Sequence, residues 1–297
     1  MTIETREWTW LAILAGSLMA GCGSSSTGGS GQGNLSVVLE AEETIVAGIE
    51  SGNGDENILD GFDVTFSKYV VSIGNVAMSQ VVDDPNPLSS ADVVIADFTS
   101  LGSFPDLTSF NGIPTGQYVS FGYETPTPDA SVENFNDVDE EDFNAMITYG
   151  WSYLIEGTIT QVSDGASKEF MIEASVPTVY GDCAVEDMEP GVNVASDSSV
   201  DITLHGDHIV FNGFPEDEGA VQRLASWLWA IEDDGDGVLT KDDFEAATNV
   251  EELFPTPTYT LTGGPIEPIR NAWDFIRAQL GTQGHIRGEG ECEWSKL

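Results

Sequence analysis

The chain has 297 residues and a formal net charge of −42, from 51 Asp and Glu against 9 Lys and Arg. With 40% apolar residues it can bury a core unaided by metal or disulfide. Lys68 and Lys168 are the only Lys or Arg between Leu35 and Gln222. That scarcity excludes nucleic acid as a partner, because counterion release needs clustered cations, and it excludes electrostatic docking on anionic lipid. Such a charge suits a salty or calcium-rich setting, where self-repulsion is screened.

Residues 8–21 form an apolar run ending at Cys22. It is shorter than the ~20 residues a membrane helix needs and has the length of a secretory signal core. The end of the run, Leu18-Met19-Ala20-Gly21-Cys22, resembles a bacterial lipobox. The resemblance implies removal of residues 1–21, lipidation of Cys22 and attachment to a membrane through the lipid. Gly23 after the cysteine, where Asp would retain the protein, resembles the outer-membrane sorting pattern. Residues 22–34, rich in Gly and Ser, read as a flexible tether. Lipidation leaves Cys183 and Cys292, and two thiols in an oxidising compartment pair in one way. That bridge would close a loop of about 110 residues, contributing roughly 4–5 kcal/mol in the chain-entropy model.

Residues 35–214 read as a β-sandwich. β-rich runs at Leu35–Leu39, Asp63–Met78, Asp92–Phe98, Gln117–Tyr123, Trp151–Val162, Glu169–Val176 and Val200–Phe211 are separated by turn chemistry. Ser163-Asp164-Gly165 predicts a hairpin, and Asp182–Asn193 a loop. Ile113-Pro114-Thr115-Gly116-Gln117-Tyr118 resembles the Gly-x-Tyr turn of transthyretin-like and surface-adhesin sandwiches. Asp137–Asp142 reads as a solvated acidic loop, and Trp151 with Tyr153 as core rather than a sugar platform.

The period changes to helical after Phe214. Pro215 with three acids behind it opens a helix carrying Val221, Leu224, Ala225, Leu228 and Ile231 on one face. A second helix is expected over Asp242–Glu252. A third is expected from about Pro268, with Ile269, Trp273, Ile276 and Leu280 inward and Gly281 as its stop. Residues 215–255 thus form a helical pair, and residues 256–297 a helix and tail that close on the sandwich.

The segment between the first two helices resembles an EF-hand calcium loop. The loop needs oxygen donors at positions 1, 3, 5, 7, 9 and 12 and Gly at 6. Gly237 fixes the register, which makes Glu232, Asp234, Asp236, the Val238 carbonyl, Thr240 and Asp243 the ligands. Glu at position 1 and Asp at position 12 depart from the pattern and shift the cage toward weak Ca²⁺ binding, on the order of 10⁻⁴–10⁻³ M, and toward Mg²⁺. Leu239 occupies the slot that usually pairs with a second loop, so it needs another partner, such as the sandwich.

The chain has three histidines, His205, His208 and His285. In a regular strand residues 205 and 208 would face opposite sides, unless Gly206 breaks the strand with a bulge. Three imidazoles with an open position suit Zn²⁺ or Cu²⁺. Nucleophile elbows, zincin motifs, phosphate loops and dinucleotide fingerprints are absent from the sequence. The expectation is a lipid-anchored envelope protein and not an enzyme, a surface or interaction module that binds calcium weakly. The alternative is a transition-metal or metalloenzyme domain built on the histidines. The order of parts resembles acidic envelope lipoproteins of myxobacterial type.

Overall fold

Alternating and continuous apolar runs become strands in order along the chain, in a computed structural model that describes residues 31–296 apart from 55, 186–187 and 215–220. Cys22 with its leader, most of the tether, and the helix start at Pro215 lie outside the described residues. In chain order the elements are β1 (Gln32–Ala41), α1 (Glu43–Val46), β2 (Phe62–Ser79), β3 (Leu88–Ser89), β4 (Val93–Asp97), β5 (Asp106–Pro114), β6 (Gly116–Tyr118), β7 (Ser120–Thr125), β8 (Glu133–Asn134), α2 (Glu140–Tyr149), β9 (Tyr153–Gln161), β10 (Ser167–Ala174), β11 (Thr178–Ala184), β12 (Val192–Val194) and β13 (Asp197–Leu204). There follow α3 (Ser226–Ala230), β14 (Val238–Leu239), α4 (Lys241–Ala246), α5 (Val250–Leu253), α6 (Ala272–Leu280), β15 (Gly284–Ile286) and β16 (Gly290–Lys296).

The molecule is mainly β. A 14-stranded mixed sheet runs β14-β10-β9-β2-β7-β11-β16-β15-β13-β1-β5, with β3 and β4 on β2 and β8 on β4. Most neighbours are antiparallel; β1 with β13, β10 with β14, and β4 with β8 are parallel. The long strand β2 changes partner along its length, from β9 at Phe62–Val71 to β7 at Gly74–Ser79. Both faces of its middle are covered. Tyr69, Val71 and Ile73 enter the main core, while Val70 joins Ile95, Leu154 and Met146 of α2 in a smaller cluster on the other face. Alternation of Cβ direction therefore explains why residues 69–74 are all buried.

Several expectations are corrected. Gln32–Asn34, assigned to the tether, belong to β1, because their backbone pairs with β5 and Asn34 Nδ2 donates to Asp197 Oδ1 at 2.9 Å. The acidic run at Asp137–Asp142 starts α2, where Asp139 caps the Glu141 N–H at 2.8 Å and three acids face the positive helix end. The loop expected over Asp182–Asn193 is shorter, since β11 runs to Ala184 and β12 starts at Val192.

The helical pair is not formed as expected. Among the described residues the first helix is only α3, Ser226–Ala230. Residues 221–224 are not helical, because Arg223 bridges Ile58 and Phe211 and the Leu224 N–H donates to Val210 O at 2.7 Å. The second helix breaks into α4 and α5, and the Ala247 carbonyl at the break accepts the Ala272 N–H that opens α6. The tail expected to close on the sheet enters it, since β16 lies between β11 and β15, and β15 between β16 and β13. A Cys183–Cys292 disulfide ties β11 to β16.

Candidate metal centre

β13 ends at Leu204, short of the Phe211 expected from sequence, and a 3-10 turn follows over Gly206–Val210. A 3-10 turn has three residues per turn, so His205 at its cap and His208 within it fall on the same side. Gly206 makes this possible by close packing rather than by a bulge. A Cβ there would sit 2.7 Å from Ile45 Cγ1. His285 arrives from β15. Its Cα pairs with Thr203, two residues before His205, so the two imidazoles are diagonal neighbours on one face.

The three rings meet inside the protein. His205 and His285 stack with centroids 4.0 Å apart, and His208 stands edge-on to them at 5.8 and 5.2 Å. One donor nitrogen from each lies within 4.8 Å of the others. Relative exposures are 3%, 4% and 1% for His205, His208 and His285.

Two tautomers follow from the hydrogen bonds. His205 Nε2 lies 3.1 Å from Gly288 O, which can only accept, so Nε2 carries the proton. In the neutral ring Nδ1 then holds the lone pair, and it lies 3.9 Å from Asp207 Oδ1. His208 Nδ1 lies 2.8 Å from Thr282 Oγ1, whose own proton goes to Gln279 O at 2.9 Å. His208 Nδ1 is therefore the donor, and in the neutral tautomer the lone pair is on Nε2. Metal-binding histidines are oriented in this way, by an outer partner that fixes the proton on the nitrogen facing away.

The surrounding charge is organised. Asp207 is 1% exposed, and its Oδ2 accepts Arg223 Nε at 2.6 Å while Arg223 Nη2 lies 2.5 Å away. Arg223 Nη2 also reaches Glu56 Oε2 at 2.7 Å. Asp207 Oδ1 has no hydrogen-bond partner among the described residues. A carboxylate oxygen 3.9 Å from an imidazole nitrogen in the core favours a proton or another cation near both. Glu42 offers a further carboxylate oxygen within 4.8 Å of His205 and Asp207 donors.

Below the histidines lie buried phenols. Tyr123 OH donates to His285 O at 3.1 Å, and Tyr69 OH to Gln283 Oε1 at 2.7 Å. Burial pushes the Tyr69, Tyr123 and Tyr180 hydroxyls well above the ordinary phenol range, and Tyr153 upward in the same way. His208 and Thr282 also line a cavity of about 570 Å³. Asp182, Glu291 and Glu293 stand on its wall with Cys292, so the approach to the histidines is acidic.

The loop resembling an EF-hand is arranged differently. Gly237 has φ +90, the conformation that position 6 requires. Leu239 pairs with Phe170 of β10, which supplies the partner it needed. The carboxylates, however, serve the local backbone. Asp234 Oδ1 accepts Asp236 N–H at 3.3 Å, and Asp236 Oδ1 accepts Val238 N–H at 2.9 Å. Asp243 Oδ2 accepts Thr240 N–H at 2.8 Å and Thr240 Oγ1–H at 2.9 Å as the capping box of α4. Among the described residues, the groups of closely spaced His, Cys, Asp and Glu donors are the two around His205; Glu232, Asp234, Asp236 and Asp243 do not form one.

Sequence reading found the histidines and missed Asp207, Glu42 and Thr282. Asp207 carried a signal, since it sits inside His205-Gly206-Asp207-His208. Glu42 and Thr282 carried none, because their position depends on how α1 and the α6–β15 turn pack. Comparison with protein-family models, with curated proteins and with solved structures finds no match.

Proposed function

We propose that the protein is an exported envelope protein that holds a Zn²⁺ or Cu²⁺ ion on His205, His208 and His285, with Asp207 and Glu42 as further donors beside His205. The observation that carries this reading is the convergence of all three histidines of the chain, buried, with donor atoms within 4.8 Å. Imidazole donors suit both metals, and three of them leave a position for water or another ligand. The cavity beside His208 is a route by which a cation could arrive, and its acids favour one. Export is supported by the disulfide and by the lipobox-like sequence ending at Cys22, which predicts that Cys22→Ser releases the protein from membranes. We read the curled sheet as a two-layer sandwich closed around the main core.

Elemental analysis and Co²⁺ absorption of the full chain test the metal. About one ion per chain is expected in the wild type, and none in His285→Gln. Thr282→Val removes only the group that orients His208, and it should weaken binding roughly 10- to 100-fold without unfolding the protein. Equal loading of wild type and His285→Gln would overturn the reading. Because the imidazoles must be neutral to bind, loading should also fall on acidification.

A second reading keeps weak calcium binding at Glu232–Asp243. It is favoured by the left-handed Gly237 and by the anchoring of Leu239 on β10.

A further inference from the structure

The nine Lys and Arg are unevenly used. Lys68 is held by Asp142 and Glu156 at 2.8 and 2.9 Å, Lys168 by the Trp229 and Ile231 carbonyls at 2.7 Å, and Arg223 is buried against Asp207. Three of the others, Lys241, Arg270 and Arg277, line a single cleft of about 560 Å³ between α2, α4 and α6. Their side chains are 50%, 71% and 35% exposed, so the charges face solvent. The volume falls within the roughly 300–1,000 Å³ of small-molecule clefts.

The cleft is built. Asp274, only 6% exposed, accepts Arg270 Nε at 2.9 Å and lies 4.0 Å from Arg277 Nη1, so one buried carboxylate positions both guanidinium groups. Asp274 is itself fixed through its N–H, which donates to Asn271 Oδ1 at 2.8 Å. Lys241 Nζ lies 5.8 Å from the Trp273 ring centre and 3.7 Å from Glu245. The same cleft is lined by an aromatic pair. Gly150 takes φ +69 at the end of α2, which reverses the chain and brings Tyr149 and Trp151 face to face at 4.8 Å. Tyr149 is 67% exposed, an unusual state for a ring that also stacks. Trp151, expected to be core, packs partly buried against the smaller core cluster and backs the exposed Tyr149 ring.

We propose that this cleft binds a singly charged acidic sugar, a pyranose bearing one carboxylate. Arg270 and Arg277 share the one carboxylate of Asp274 and leave a local surplus of +1, while Lys241 faces Glu245 and Glu173. That balances a monoanion and leaves Glu245 and Asp274 unfavourable toward a phosphate dianion. Guanidinium groups match a carboxylate in shape as well as charge. The apolar C–H face of a pyranose lies flat on an aromatic ring, and Ser175, Thr248 and Glu245, which also line the cleft, are polar residues suited to its hydroxyls. The protein's net −42 repels anions at long range, but at physiological ionic strength that repulsion decays over ~8 Å, so within the cleft the local cations dominate. The inference is independent of the metal centre, which lies on other elements.

Tryptophan fluorescence and calorimetric titration of the full chain with galacturonate test it, alongside uncharged galactose and inorganic phosphate at matched ionic strength. Saturable binding of galacturonate is expected, at least about tenfold tighter than either control. Tyr149→Ala and Arg270→Gln should each weaken it about tenfold. Both side chains are exposed, and unchanged melting curves would show that the fold is intact. If Arg270→Gln lowers the melting temperature by releasing Asp274, Tyr149→Ala decides alone. Absent saturation, equal binding of galactose, phosphate binding as tight as galacturonate, or an unaltered affinity in Tyr149→Ala would each overturn the proposal.

Discussion

The histidine cluster and the loop at Glu232–Asp243 both carry metal-ligand chemistry in sequence, and the fold treats them in opposite ways. The histidines are scarce, and all three are spent on one buried point. The loop acids are drawn from a chain with 51 carboxylates, and they bond to neighbouring backbone N–H groups. The difference teaches that a rare side chain buried with its like is a stronger pointer to a ligand than a well-spaced motif of common ones. An exposed carboxylate can always turn to water or to its own backbone, whereas a buried imidazole must find a partner.

The sharpest separation of the two regions comes from alkali. Tyr69, Tyr123, Tyr153 and Tyr180 pack in the core beneath the histidines, and burial raises all four phenols. A raised folded-state value means the unfolded chain loses these protons first. The stabilisation is therefore complete below the free phenol value of ~10 and is lost as pH rises above it, by up to about 1.4 kcal/mol per pH unit for each ring. Denaturant unfolding followed from pH 8 to 12 should show this decline, with the metal released in the same transition. Stability that is flat across that range would break the link between the histidine region and the tyrosine core.

The disulfide gives the next largest effect. Cys183–Cys292 holds β16 on β11, and β16 pairs with the strand that bears His285. Its sequence separation of 109 makes the bridge worth roughly 4–5 kcal/mol in the chain-entropy model. Cys183→Ala with Cys292→Ala should lower the melting temperature and weaken metal binding, while any calcium response of the loop is unchanged. Metal affinity that survives the double substitution would show that β15 is positioned without the bridge.

The loop itself should give the smallest effect. Calcium at ten times Kd would add about 1.4 kcal/mol. Asp234→Ala with Asp236→Ala should abolish that gain and leave the sheet folded. Melting curves in chelator and in millimolar calcium, at matched ionic strength, check it. An equal rise in wild type and double mutant would mean that the ion only screens the charge.

The sequence by itself determined the mainly-β class, because period-two and continuous apolar runs such as Asp63–Met78 allow little else. It also determined the β9–β10 hairpin through Ser163-Asp164-Gly165, the stop of α6 at Gly281, and the pairing of the two cysteines that remain after Cys22 is set aside. These are local or combinatorial facts. Tertiary structure alone decided the rest. The pattern Val221, Leu224, Ala225 is helical in spacing, yet Arg223 is pulled into bridges with Ile58 and Phe211, and its charge is needed at Asp207. β15 has only three residues and β5 and β16 carry interrupted apolar patterns, so all three depend on the backbone partners that neighbouring strands offer. The convergence of His205, His208 and His285 required both a 3-10 turn forced by Gly206 packing and an antiparallel register between β13 and β15. Spacing along a chain fixes which side chains can share a face of one element. Which faces meet is set by long-range packing, whose free energy exceeds the local propensities it overrides.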